Sequence, residues 1–143
     1  MKNLLSYWQV WAILSAVFAA LTAIFAKVGI EKINSDFATF IRTIVILFVL
    51  GFILLATNQF QSLKSISPKS LLFLILSGIA TGGSWICYFR ALKLGNASQV
   101  APIDKLSVVL VALFAVVFLG ERLSLVHWLG IVFIAVGAVI IAL

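Results

Sequence analysis

The chain has 143 residues, of which 64% are apolar and only 10% charged, a balance far from the quarter-charged average of soluble domains, so lipid is the expected solvent for most of it. A formal charge of +6 raises nucleic acid as a partner, but the ten Lys and Arg residues are scattered at the ends of apolar runs. That distribution points to lipid headgroups and away from nucleic acid.

Five apolar runs reach the roughly 20 residues needed to cross a hydrocarbon core. The first covers about 8–26, with Tyr7, Trp8 and Trp11 placed for an aromatic belt and Lys27 closing it. It exceeds the 7 to 15 residues of a signal-peptide core and shows no evident cleavage site, so it is expected to be retained. After the polar stretch Glu31, Lys32, Asn34, Ser35 and Asp36, which offers N-cap side chains, the second run covers about 37–56 and carries Arg42 inside. A polar loop with Asn58, Gln59, Gln61, Lys64, Pro68 and Lys69 leads to the third, about 71–92. Gly95 and Asn96 are stop residues, and the fourth run, about 100–119, has Pro102 in its expected first turn, where a missing amide proton costs least. Gly120, Glu121, Arg122 and Ser124 form a turn before the fifth, about 126–142, which starts with His127 and Trp128. These runs predict an all-α integral membrane protein of five transmembrane helices, multi-pass in the plasma or inner membrane. A single five-helix domain over 1–143 is expected, with neither a separate soluble domain nor a cytoplasmic tail.

An odd number of spans puts the termini on opposite sides. Side A, with the N-terminus, receives Lys2, Lys64, Lys69 and Arg122, whereas side B receives Lys27, Lys32, Arg42, Arg90, Lys93 and Lys105. Excess Lys and Arg marks the cytoplasmic side, but discounting Arg42, Arg90 and Lys105 as helix-embedded turns four against six into four against three. Orientation is barely specified, and dual topology is expected.

The small residues Ala12, Ala16, Ala20, Gly78, Gly82, Gly130 and Gly137 read first as sites of close helix packing. In the third run Ser77, Thr81, Ser84 and Tyr88 recur at helical spacing beside Gly78, Gly82 and Trp85, forming a polar stripe. Interhelical hydrogen bonding and cavity lining explain such a stripe about equally well. Arg42, Arg90, Asp104 and Lys105 all fall within about two turns of side B, where long side chains reach headgroups. Arg90, rotated off the stripe, is expected to do that. Asp104 is expected to pair with Arg42, Arg90 or Lys105; as the one acidic residue expected inside a helix, it is also the candidate proton carrier.

His127 is expected to be interfacial. No second His or Cys stands ready for a metal, the lone Cys87 has no partner, and no cofactor is implied. An enzyme is not expected either, for the sequence holds no HExxH, phosphate-cradling glycine loop or nucleophile elbow.

The stretches Gly83-Ser84-Trp85 through Tyr88-Phe89-Arg90-Ala91-Leu92, Ala101-Pro102-Ile103-Asp104-Lys105-Leu106-Ser107, and Leu119-Gly120-Glu121-Arg122-Leu123-Ser124 resemble the EamA-like family of the drug/metabolite transporter superfamily. The resemblance extends to the tryptophan-rich opening helix and to Ile41-Arg42-Thr43. Common members carry two five-helix units, so the resemblance implies the single-unit branch. Superfamily substrates range over amino acids, nucleotide sugars and drug-like cations. The first helix lacks the membrane-embedded glutamate of the small multidrug resistance branch, which argues against that branch's antiport mechanism.

Fusing two odd-span units inverts the second, giving inverted repeats, and a single-unit chain reaches the same arrangement as an antiparallel homodimer or with a paralogous partner. The expected function is transport of a small metabolite by alternating access, with a non-transporting membrane subunit as the alternative. Expected substrate contacts are Ser84, Trp85, Tyr88, Arg42, Asp104 and Lys105, with Ser77, Thr81 and Ser107 lining the cavity. Two cations against one carboxylate at the mouth favour an anionic substrate.

Overall fold

Five helices are long and apolar enough to cross a membrane: Trp8–Gly29, Ser35–Ala56, Pro68–Leu94, Ala97–Leu119 and Leu125–Ala142. They are seen in a computed structural model that describes residues 7–143; Lys2, counted on side A, lies outside the described residues. The elements are α1 (Trp8–Gly29), α2 (Ser35–Ala56), α3 (Pro68–Leu94), α4 (Ala97–Asp104), α5 (Ser107–Leu119) and α6 (Leu125–Ala142). The chain is thus an all-α integral, multi-pass membrane protein in contact with the lipid bilayer. Most large apolar side chains are exposed on the protein surface, as a bilayer solvent requires.

Local chemistry sets the boundaries. Asn34 caps α2, its side chain accepting from the Asp36 and Phe37 amides, so α2 begins at Ser35 and takes in Asp36, a residue expected in the preceding loop. Asp36 therefore joins Asp104 as an acidic residue within a helix, correcting the expectation that Asp104 stands alone; a carboxylate in the first turn complements the helix dipole. Beyond the far end of α2, Asn58 adopts a left-handed backbone at φ 53°, a conformation asparagine tolerates better than most residues. Ser124 caps α6 by accepting from the His127 amide at 3.3 Å.

The fourth span is broken, which the sequence reading did not foresee. Pro102 is the sixth residue of α4 rather than part of its first turn, because the helix already starts at Ala97. It withholds an amide donor from the Ser98 carbonyl one turn back. Shortly beyond it the winding tightens: Lys105 donates to Pro102 at 3.1 Å, Leu106 to Ile103 at 3.0 Å, and Val108 to Lys105 at 3.0 Å. The span resumes as α5 at Ser107 and ends at Gly120, whose φ of 69° permits the Glu121 amide to reach the Ala115 carbonyl at 3.1 Å.

The helices form two compact units, one of Ala26–Lys93 and the other of α1 up to Phe25 with Leu94–Leu143. In the second, α6 packs along α4 and α5, and Ala138 is buried. In the first, Ala26, Ile30, Ala38, Thr39, Phe89 and Leu92 are buried where the last turn of α1, the start of α2 and the end of α3 meet. Two lysines close that junction. Lys27 donates to the Leu92 carbonyl at 2.7 Å, while Lys93 donates to the carbonyls of Ile30, Glu31 and Ile33. Carbonyls at helix C-termini lack intrahelical partners and carry the negative end of the dipole, so Lys27 satisfies the last turn of α3, while Lys93 gathers three carbonyls just beyond the end of α1.

Candidate functional site

A groove of about 590 Å³ runs along the Ala26–Lys93 unit. From α2 it takes Asp36, Thr39, Phe40 and Thr43, spaced i, i+3, i+4 and i+7, the rhythm of one helix face. From α3 it takes Leu74, Ser77, Gly78, Thr81, Gly82, Trp85 and Ile86 on the same rhythm. Among the described residues no close packing is seen at Gly78 and Gly82: a Cβ at either position would meet nothing within 4 Å. The two glycines instead leave gaps between the α3 side chains that line the groove.

The hydroxyls have a definite polarity. Thr39 donates to the Ser35 carbonyl at 2.9 Å, Thr43 to Thr39 at 2.8 Å and Thr81 to Ser77 at 2.8 Å. With protons committed to their own helices, the Thr43 and Thr81 oxygens turn lone pairs outward and act as acceptors. At the α2 start, Arg90 forks onto Asp36, with Nε to Oδ1 at 2.9 Å and Nη2 to Oδ2 at 2.6 Å. Arg90, expected to reach for headgroups, is thus held by a carboxylate on the neighbouring helix. On α2, the Arg42 guanidinium lies 4.2 Å from the Trp85 ring centroid and 5.4 Å from that of Phe89, a cation on aromatic faces.

Of the residues singled out from the sequence, Ser77, Thr81 and Trp85 line the groove, and Arg42 stacks on Trp85. Ser84 is exposed and not part of the lining. Tyr88 is half-buried, its ring edge-on to Phe89 at 6.5 Å. The groove face of α3 is therefore rotated from the Ser77-Thr81-Ser84-Tyr88 stripe towards Gly82 and Trp85, since successive residues turn by about 100°. In the other unit, Lys105 Nζ lies 3.3 Å from Asp104 Oδ2 at the break between α4 and α5, and Ser107 opens α5. Asp104 thus takes the last of its three expected partners. Asp36, Thr39 and Thr43 were missed as site residues, although their i, i+3, i+7 spacing was a readable signal once α2 was extended to Ser35. Among the described residues no cluster of His, Cys, Asp or Glu is arranged to hold a metal ion.

A family model described as the EamA-like transporter family matches residues 6–143. An uncharacterized transporter from Sinorhizobium sp, named for the cobO 3' region, is 63% identical over 135 residues, covering 94% of this chain and 96% of that protein. The uncharacterized transporter YxxF of Bacillus subtilis is 28% identical over 130 residues, 90% of this chain but 40% of its own length. A probable 4-amino-4-deoxy-L-arabinose-phosphoundecaprenol flippase subunit ArnE from Hamiltonella defensa is 30% identical over 86 residues, 60% of this chain and 76% of that protein. No solved structure matches the chain.

Proposed function

The chain belongs to the EamA-like transporter family, a membership that supports a transporter role, and from that premise we propose that it carries a small metabolite across the membrane by alternating access. The observation that carries this reading is the groove: a mostly apolar, glycine-opened concavity of about 590 Å³ on membrane-spanning helices, with threonine acceptors and the Trp85 ring in its lining and, beside it, the Arg90 fork on the lining residue Asp36. Sites of this kind, mostly apolar with a few convergent polar groups, are where small solutes bind. Ser77, Thr81 and Trp85 contact the solute, Arg42 fixes the Trp85 ring, and Tyr88 and Ser84 flank the path. Asp104 and Lys105, at the break in the fourth span, are the second polar site, with Ser107 beside them; interrupted helices supply ion and substrate contacts in many transporters.

The working form is an antiparallel homodimer. In its favour are the odd number of spans and the longer YxxF protein, of which this chain's match occupies 40%. The name of the ArnE relative, a flippase subunit, favours a second reading, a membrane subunit that acts only beside another chain. Proteoliposomes containing this protein alone separate the two: saturable uptake of a solute from a broad metabolite panel supports the transporter, and inactivity across the panel supports the subunit.

A further inference from the structure

The Asp36–Arg90 pair is not the sole tie at this junction. Phe89, Leu92, Ala38 and Thr39 are buried there, and Lys27 and Lys93 join α3 to α1 and to the loop ahead of α2 through backbone carbonyls. The pair is also open, with side chains 61% and 44% exposed for Arg90 and Asp36, and Asp36 is itself part of the groove wall. Asp36 occupies two of the five N–H donors of a guanidinium, leaving three. Around it this end of the unit carries five cations, Lys27, Lys32, Arg42, Arg90 and Lys93, against two carboxylates, Glu31 and Asp36. An anion arriving at the groove therefore meets a positive field and a planar fork suited to a carboxylate or phosphate. Beyond the fork, Thr43 and Thr81 present acceptors, which suit N–H or O–H donors on the body of the same molecule.

We propose that Arg90 is the anion anchor of the groove and that Asp36 is its placeholder, a carboxylate that keeps the fork extended until the phosphate or carboxylate of a ligand takes its position. Resting on the transport reading, this names the substrate class: a small anion with hydrogen-bond donors along its body. The phosphate chemistry has two sources, a free solute or a lipid headgroup. Because the placeholder competes with the ligand, a fork free only about one-tenth of the time binds about tenfold more weakly than one always free.

The test is equilibrium binding of radiolabelled inorganic phosphate to the full chain in a non-ionic detergent, with a second arm in phosphatidylcholine nanodiscs containing labelled phosphatidate. Asp36→Asn is expected to tighten binding by about tenfold in one arm or both, and Arg90→Gln to reduce it to background. Arg90→Lys, which keeps the charge but loses the fork, is expected to weaken it several-fold or more. A response in the detergent arm identifies a free solute, and a response confined to nanodiscs identifies a headgroup. If Asp36→Asn does not give a monodisperse protein, Arg90→Lys decides alone. Equal binding by wild type, Asp36→Asn and Arg90→Gln in both arms overturns the proposal and leaves the pair structural. Uptake by proteoliposomes is unaffected by that outcome, and a protein that binds phosphate but carries nothing overturns the transport reading instead.

Discussion

Removing the Arg42–Trp85 contact tests whether the aromatic wall of the groove is held in place by the cation on it. The guanidinium carbon is 4.2 Å from the Trp85 centroid and 5.4 Å from that of Phe89, and Arg42 is half-buried. Cation–π contacts range from about 0.5–1 kcal/mol at exposed sites to about 2 when desolvated, so a half-buried pair is expected near 1–1.5 kcal/mol. The perturbation is a double-mutant cycle of Arg42→Met and Trp85→Leu, both keeping apolar bulk at membrane depth, followed by helical circular dichroism during reversible unfolding in mixed micelles. The coupling energy is expected at about 1–1.5 kcal/mol, an equilibrium factor of roughly ten. The equivalent cycle with Phe89→Leu is expected to give a smaller coupling, because its ring is farther away. Additivity of Arg42→Met and Trp85→Leu within about 0.3 kcal/mol, or a larger coupling to Phe89, would mean that the cation does not hold the Trp85 ring.

Lys93→Met deprives the Ile30, Glu31 and Ile33 carbonyls of their shared donor; a loss of about 1–2 kcal/mol is expected in the same unfolding assay, moderated by water at the exposed carbonyls. Asp104→Asn removes the carboxylate at the break in the fourth span, and pH-gradient-driven uptake is expected to disappear while solute exchange persists. Unchanged pH dependence would return Asp104 to a structural role with Lys105. Reporters fused to Leu143, one active only in the cytoplasm and one only outside, are expected both to give signal, since the loop charge is nearly balanced; silence from either contradicts dual topology.

The spans were legible because lipid imposes its own arithmetic: an apolar run of about 20 residues bounded by polar groups has few other readings. Boundaries were less so. Capping by Asn34 moves the start of α2 back to Ser35, and the groove's acidic residue was hidden in what read as a loop. The α3 stripe was found by counting hydroxyls, but glycines shape a groove by absence, so the face centred near Gly82 and Trp85 was displaced from the most polar one. Arg90 was assigned to headgroups because it lies within about two turns of side B and is rotated off the polar stripe. Its partner stands 54 residues away, a separation that local periodicity does not reach. The break in the fourth span had a visible marker in Pro102, whose effect depends on where the helix starts, and that was set three residues too late.

If the α2–α3 groove carries the transported solute, filling it stops transport. In the variant Gly78→Leu with Gly82→Leu, each new Cβ meets no described atom within 4 Å, and each helix position gains roughly 0.8 kcal/mol of propensity over glycine, so the fold is expected to persist with an unchanged or higher unfolding midpoint. Counterflow of a carried radiolabelled solute, measured side by side in proteoliposomes, is expected to be saturable for the wild type and abolished for the filled variant. Equal counterflow by the two proteins, with both shown to be folded, would mean that the solute does not pass through this groove.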